Sequence, residues 1–340
     1  MNPTPAAGTA KAEPQQTHLL VEFKYTSPLL NCRFDPLGPF MFATAQDNTI
    51  LRWHIASGKA TPLAGHDSWV RALAFHPTAS TFYSGGYDGR VIWWETAAET
   101  PQPQRTIEAH HGWVRAVAVS PDGNLLATCG NDNLVKIWNA ADGTLLKECF
   151  GHANHVYTVA FHPQRAIIVS GDLKGVVKEW DIATGEQLRQ LDAPALWKYD
   201  VGFGADVGGV RALAIAADGK LLACAGITEV SNAFAGIGNP LVVVFNLETG
   251  QKQQQLGTTA KLKGPATGVR FHRDGFVIGS SGGLDGGHLL FWKLEQPNEF
   301  FDLKLPDTCR DFDLHPDGLR LATPHEDKTL RLWQMTAKAK

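Results

Sequence analysis

Seven aromatic residues recur at nearly even steps along this chain: Trp53, Trp94, Trp138, Trp180, Phe245, Trp292 and Trp333, separated by 41, 44, 42, 65, 47 and 41 residues. Each closes a unit whose clearest copy runs from His110 to Asn139, HHGWVRAVAVSPDGNLLATCGNDNLVKIWN. Val114 to Val119 alternates large and small apolar residues and reads as a strand. Ser120-Pro121-Asp122-Gly123 is a turn, because Pro presets one φ angle and Gly accepts a positive one. Leu125 to Thr128 is a second strand, Asn131-Asp132-Asn133 a second turn, and Leu134 to Trp138 a third strand. The pattern returns as His66 to Glu95, His152 to Asp181, Val207 to Asn246, Ala266 to Lys293 and Asp307 to Gln334, with a weaker copy from Pro28 to His54. A period of about 40–45 residues with four strands per unit is that of a propeller blade. One such unit cannot bury its apolar face alone, so the copies must stack on one another.

The arithmetic of the ends predicts how the ring closes. Leu19 to Phe23 reads as a strand with no partner near it in sequence. Phe23 precedes Phe34 by the same interval that Phe150 precedes Phe161, which marks it as the outermost strand of a blade. The last copy stops at Trp333 and lacks that strand. The expected fold is therefore all-β, a seven-bladed β-propeller of four-stranded antiparallel blades, with the N-terminal strand completing blade seven and removing two exposed sheet edges. Residues 1–17, rich in Pro, Ala, Gln and Thr, have little to bury and are expected to form a disordered tail. The propeller then spans 18–334, and 335–340 form a polar C-terminal tail.

The dipeptides Gly65-His66 and Gly151-His152, with the strand endings Trp94-Glu95, Trp138-Asn139 and Trp180-Asp181, resemble the WD40 repeat family, and the resemblance covers about residues 19–334. It implies a role for His110, Thr128, Asp132 and Trp138: in WD40 proteins the matching positions form a buried network joining His, hydroxyl, Asp and the indole N–H. Blade two repeats the set as His66, Ser84, Asp88 and Trp94. A catalytic triad has no reason to recur in successive blades, whereas a structural staple does. Other blades depart from the pattern: Lys174 stands at the Asp position of blade four, Ala43 at the hydroxyl position of blade one, and Phe245 at the Trp position of blade five. Those blades are expected to be less tightly stapled.

Composition narrows the function. A formal charge of −3 supplies no basic field for nucleic acid. The odd set Cys32, Cys129, Cys149, Cys224 and Cys309 sits largely in strand segments and reads as small buried residues rather than disulfides. The N-terminus has no apolar core for a signal peptide, and no run of 18 apolar residues follows, so a soluble cytoplasmic protein without a membrane partner is expected. His76, His162 and His315 precede Pro and His272 precedes Arg273, all at the turn after the first strand. Spread around one face of a ring, they cannot converge on an ion, and no metal is expected. There is no Walker-type loop and no CxxC, and no cofactor is expected.

Counting four residues back from the apolar residue that ends each innermost strand gives Leu30, Arg71, Arg115, Tyr157, Arg211, Thr267 and Arg310. This position opens the strand that lines the central channel, so these side chains should ring one mouth. Trp69, Trp113 and His155 stand two residues earlier, and Tyr87 lies in the turn on the same face. The resemblance adds that WD40 proteins commonly contact partners at these two positions. The competing reading is that each arginine pairs with an acidic loop residue. Blade five carries two insertions, Asp192 to Gly209 with Trp197, and Ile227 to Pro240 with Phe234, that should rise on the same side. The sequence thus points to a non-catalytic scaffold that binds a protein or peptide partner with an acidic or phosphorylated segment. The alternative is a hydrolase- or lyase-type propeller enzyme, which would need convergent carboxylates, histidines or a metal near the axis.

Overall fold

The computed structural model describes residues 10–338. Seven four-stranded sheets and one two-stranded hairpin account for all strands, and among the described residues there is no α-helix. Among the described residues, no helix is long and apolar enough to cross a membrane. In blade three the strands Val114–Val119, Leu125–Gly130, Val135–Asn139 and Leu145–Cys149 pair in sequence order, all antiparallel. The architecture is the expected seven-bladed propeller.

Blade seven is completed by the N-terminal strand. His18–Lys24 pairs antiparallel with Thr329–Gln334, from His18 opposite Gln334 to Lys24 opposite Thr329. Glu22 accepts a 2.7 Å bond from the Arg331 guanidinium across this joint, and Phe23 packs against Trp53 of blade one. Residues 12–17 of the expected tail lie against the propeller. Pro14 is buried in a short 3-10 turn, the Glu13 amide donates to the Met335 carbonyl, and Ala12 packs on the cluster between blades six and seven. Met335 itself is fully buried, so the C-terminal tail also begins later than expected. Composition undervalued both ends because one proline and one methionine are enough to dock a few residues in a groove between blades. Residues 1–9 of the expected disordered tail, and 339 and 340, lie outside the described residues.

The core is a series of layers between neighbouring blades. Phe42, Ile50 and Leu63 of blade one meet Val70, Leu73, Phe82 and Trp94 of blade two. Val169 and Val177 of blade four meet Val210, Leu213 and Leu222 of blade five. The close approach explains small residues on second strands: a Cβ on Gly85 would stand 2.7 Å from Val114 Cγ1 of blade three. All five cysteines are free and buried in these layers, and burial pushes their thiol pKa values up.

The histidines after the first strands hold their turns. His162 Nδ1 accepts the amides of Gln164 and Arg165, at 3.1 and 2.9 Å, and its Nε2 lies 3.0 Å from the Gly219 carbonyl of blade five. His272 repeats the arrangement with Asp274 and with Gly318 of blade seven. The rings of His76, His162 and His272 rest where the next blade has a turn glycine: a Cβ at Gly123 would meet His76 Nε2 at 2.3 Å. This belt joins blades on the face away from the arginine ring, and no metal-ligand cluster occurs among the described residues.

Blade five carries both insertions as β-structure rather than loops. Trp197–Asp200 and Ala205–Gly208 form a separate hairpin. The second insertion lengthens two blade strands to Leu221–Asn232 and Ile237–Asn246, which pair beyond the blade up to Asn232 opposite Ile237.

Candidate functional site

The buried His–hydroxyl–Trp chains come first, because they fix the face on which the site is built. In blade three, His110 Nδ1 is 2.8 Å from Asp132, His110 Nε2 is 2.7 Å from Thr128 Oγ1, and the Trp138 indole donates to the same Oγ1 at 2.9 Å. One arrangement satisfies every group: the indole donates to Thr128, the hydroxyl donates to Nε2, and Nδ1–H donates to an ionised Asp132. Burial lowers the His110 pKa, which keeps the ring neutral. Burial alone would raise the Asp132 pKa, but His110 and the amides of Leu134 and His111 hold it below its ordinary value. Blade two repeats the geometry with His66, Asp88, Ser84 and Trp94 at 2.9, 2.7 and 2.8 Å.

Blade four overturns the expectation built on Lys174. Its network is complete, because Asp172, two residues earlier, bonds His152 Nδ1 at 2.9 Å. Ser170 bonds His152 Nε2 and Trp180 at 2.8 Å each. The physical reason is visible in blade two. A Cβ on Gly86, the residue equivalent to Asp172, would stand 2.5 Å from His66 Nδ1, so a side chain at that position points straight at the histidine. In blade seven the same position is His325, which itself bonds Thr323 at 2.8 Å, while Trp333 donates to Thr323 at 2.7 Å. The staple can thus be rebuilt from the end of the second strand.

These networks seat the turn after the second strand beside the entry to the first strand. The Tyr87 amide donates to the Trp69 carbonyl at 2.8 Å, Asn131 to Trp113 at 3.1 Å, and Leu173 to His155 at 3.0 Å. Both expected contact positions therefore share one face. On that face Trp69, 41% exposed, tilts against Tyr87, and Tyr87 stacks on Trp113, 40% exposed, with ring centroids 4.0 Å apart and 5° between planes. The Arg115 guanidinium lies 4.5 Å from the Trp113 ring centre and 4.7 Å from that of Tyr157. It donates to Asn131 Oδ1 at 2.7 Å and to the Tyr87 hydroxyl at 3.2 Å. His155 sits at the edge of this group, 3.3 Å from Asn133 Oδ1.

A cavity of about 1000 Å³ runs along the axis, lined at this end by Arg71, Arg115, Tyr157, Arg211, Thr267 and Arg310. Two ring positions differ from expectation. Leu30 is fully buried between blades and does not reach the channel. Arg310 is ion-paired with Glu326 in the neighbouring turn, so at this one position the competing reading holds. Ala233, Ala235 and Gly236 at the tip of the long blade-five hairpin also line the cavity, so the hairpin overhangs the mouth. Phe234 between them is 84% exposed and meets Phe203 of the shorter hairpin edge-on at 6.1 Å. Trp197 is at the base instead. Its indole donates to Asp206 at 2.8 Å and Lys174 covers its ring, so it braces the hairpin rather than facing outward.

A second charged group in the channel escaped the sequence reading. Arg33 is 2.6 Å from Asp311, which also accepts a bond from Asn31, and Arg270 lies 3.5 Å from Asp313. Burial works to lower the Arg33 pKa, but Asp311 and Asp313 carry it above its usual value. The signal was present: the residue before the closing apolar position is Ala74, Ala118, Ala160 and Ala214 in four blades, but Arg33, Arg270 and Asp313 in blades one, six and seven.

The family model described as "WD domain, G-beta repeat" matches residues 59–95, 101–139 and 143–181. Those three segments match the WD40 repeat. The three matched repeats cover blades two to four, where the complete networks lie. Among curated proteins, similarity is found to nuclear distribution protein PAC1 of Arthroderma benhamiae, 33% identical over 81 residues, which is 23% of this chain and 18% of the relative. Nuclear distribution protein nudF of Aspergillus terreus is 28% identical over 81 residues, again 23% of this chain and 18% of the relative. DDB1- and CUL4-associated factor 10 of Xenopus laevis is 39% identical over 69 residues, 19% of this chain and 15% of that protein. The chain thus spans less than a fifth of the length of each of these relatives.

Proposed function

We propose that this WD40 propeller is a non-catalytic scaffold that receives an acidic or phosphorylated segment of a protein partner at the channel mouth, with the blade-five hairpins gripping that partner from the side. The observation that carries the reading is the continuous stack of Trp69, Tyr87, Trp113, Arg115 and Tyr157 at an open mouth. Trp, Tyr and Arg are the residue types most enriched among interface hot spots. Here they are held rigid before any partner arrives, which lowers the ordering cost of binding. A guanidinium between aromatic faces keeps its orientation and can meet a carboxylate or phosphate through two hydrogen bonds. The buried channel carboxylate Asp311 is tied to Arg33 and Asn31, which favours binding over catalysis. One WD40 relative carries a name that describes association with two other proteins, in keeping with an adaptor role. Five free, buried cysteines fit a reducing compartment such as the cytoplasm.

Affinity capture from the native cell, comparing wild type with an Arg71→Glu/Arg115→Glu variant of unchanged melting temperature, tests the reading. The variant is expected to lose its native partners. Retention of every partner, with release by substitutions on the His76/His162/His315 face, would show that the other face binds.

A further inference from the structure

Six guanidinium groups line the channel cavity, and they divide into two sets. Arg33, Arg270 and Arg310, from blades one, six and seven, are ion-paired with Asp311, Asp313 and Glu326. Arg71, Arg115 and Arg211, from blades two, three and five, face no carboxylate within ion-pair distance among the described residues. The only hydrogen bond of the Arg71 guanidinium goes to the Leu30 carbonyl at 3.4 Å, and the only polar partners of Arg115 are Asn131 and Tyr87. Arg211 is exposed in the mouth and lies near enough to Arg71 and Arg115 for their charges to act on it. Three cations without a carboxylate partner share one arc of the channel, where like charges repel one another. Tyr157 of blade four and Tyr87 complete the arc with hydroxyl groups.

We infer that the arc formed by Arg71, Arg115, Arg211, Tyr87 and Tyr157 is a binding site for a phosphoryl group. This deepens the scaffold reading above and rests on the mouth being a binding face. A carboxylate brings one charge and two acceptor oxygens, too few for three guanidiniums. A phosphoryl group brings about −1.5 to −2 charges and three strong acceptors, and arginine meets it in a two-pronged geometry. The pairing of Arg33, Arg270 and Arg310 confines the site to the side of blades two to five. The phosphoryl group belongs either to a phosphorylated side chain of the partner or to a free polyphosphate.

Calorimetric titration of the purified full chain with tripolyphosphate and with O-phosphoserine, each against sodium chloride of matched ionic strength, tests the inference. Binding by either is expected, and the tighter of the two identifies the source. Arg211→Gln should weaken it roughly tenfold or more, the effect of losing one charge-assisted hydrogen bond. The charge-neutral pair Arg310→Gln/Glu326→Gln should leave it little changed. A second readout separates a ligand site from a structural arginine: in phosphate-free buffer Arg211→Gln should raise the melting temperature, because it relieves like-charge repulsion. No binding by wild type, equal binding by all variants, or a lowered melting temperature for Arg211→Gln in phosphate-free buffer would overturn the site. Phosphoryl binding that Arg211→Gln abolishes, together with partners retained by Arg71→Glu/Arg115→Glu, would leave the site standing and overturn only the interface reading.

Discussion

Asp172→Ala is expected to be among the most damaging single substitutions in the protein, although Lys174 occupies the position where the other complete networks have their carboxylate. Asp172 is 1% exposed. Its carboxylate accepts from His152 Nδ1 at 2.9 Å and from the amides of Lys174 and Val176 at 2.9 and 3.0 Å. Truncation leaves a buried imidazole N–H and two turn amides without their acceptor. Each buried orphan costs about 1–3 kcal/mol. Relaxation of the turn and entry of water offset part of this, so a loss of about 3–4 kcal/mol is expected. Lys174→Ala removes an ammonium that is 38% exposed and 3.5 Å from Asp206, a surface pair worth about 0–1 kcal/mol. Urea unfolding of wild type and both variants, followed by tryptophan fluorescence, measures the difference as a shift of midpoint at constant slope. Equal midpoints for the two variants would refute the substitution of Asp172 for the missing carboxylate.

Deleting the chain through Lys24 should lower the melting temperature sharply, since it unpairs Thr329–Gln334, exposes Phe23's partner Trp53 and removes the Glu22–Arg331 ion pair; deleting residues 1–9 should change it little, and calorimetry compares the two. Burial, aided by the charge of Arg331, lowers the His325 pKa to about 4. The unfolded chain therefore binds that proton first, and stability falls as pH drops from about 6.5 to about 4, by about 3 kcal/mol in all. Denaturant midpoints across this window should show the loss, and His325→Gln should reduce it. Gly85→Val should cost about 1–3 kcal/mol by driving the blade-three layer apart at Val114, read as a lowered urea midpoint.

Much of the fold was legible because its determinants are local and repeated. The closing aromatics fix blade number, and the interval from Phe23 to Phe34 fixes the shared blade. Legibility declined where a role passes to a different residue at the same point in space. Asp172 and His325 rebuild the staple from the end of the second strand, and an offset count that looks only at the Asp position cannot see them. The mouth was half legible. The strand offset located Arg71, Arg115, Tyr157 and Arg211, but not that Leu30 is buried or that Glu326, in the turn of the same blade, neutralises Arg310, since a count along one strand does not report which side chains meet. The charged residues Arg33, Arg270 and Asp313 sat at a countable offset that had been filled with alanine elsewhere. The insertions were placed on the right blade and face. Their hairpin form depends on pairing between Leu221–Asn232 and Ile237–Asn246 that alternation alone does not announce.

Site-specific photo-crosslinking in the native cell tests the interface reading most directly. A photoreactive residue replaces Phe234, exposed on the hairpin over the mouth, or Thr78, exposed in the turn on the opposite face. The account predicts partner adducts from position 234 and none from position 78, with the adducts lost when Arg71→Glu/Arg115→Glu is added. Adducts from position 78 alone, or adducts from 234 that survive the double charge reversal, would contradict it.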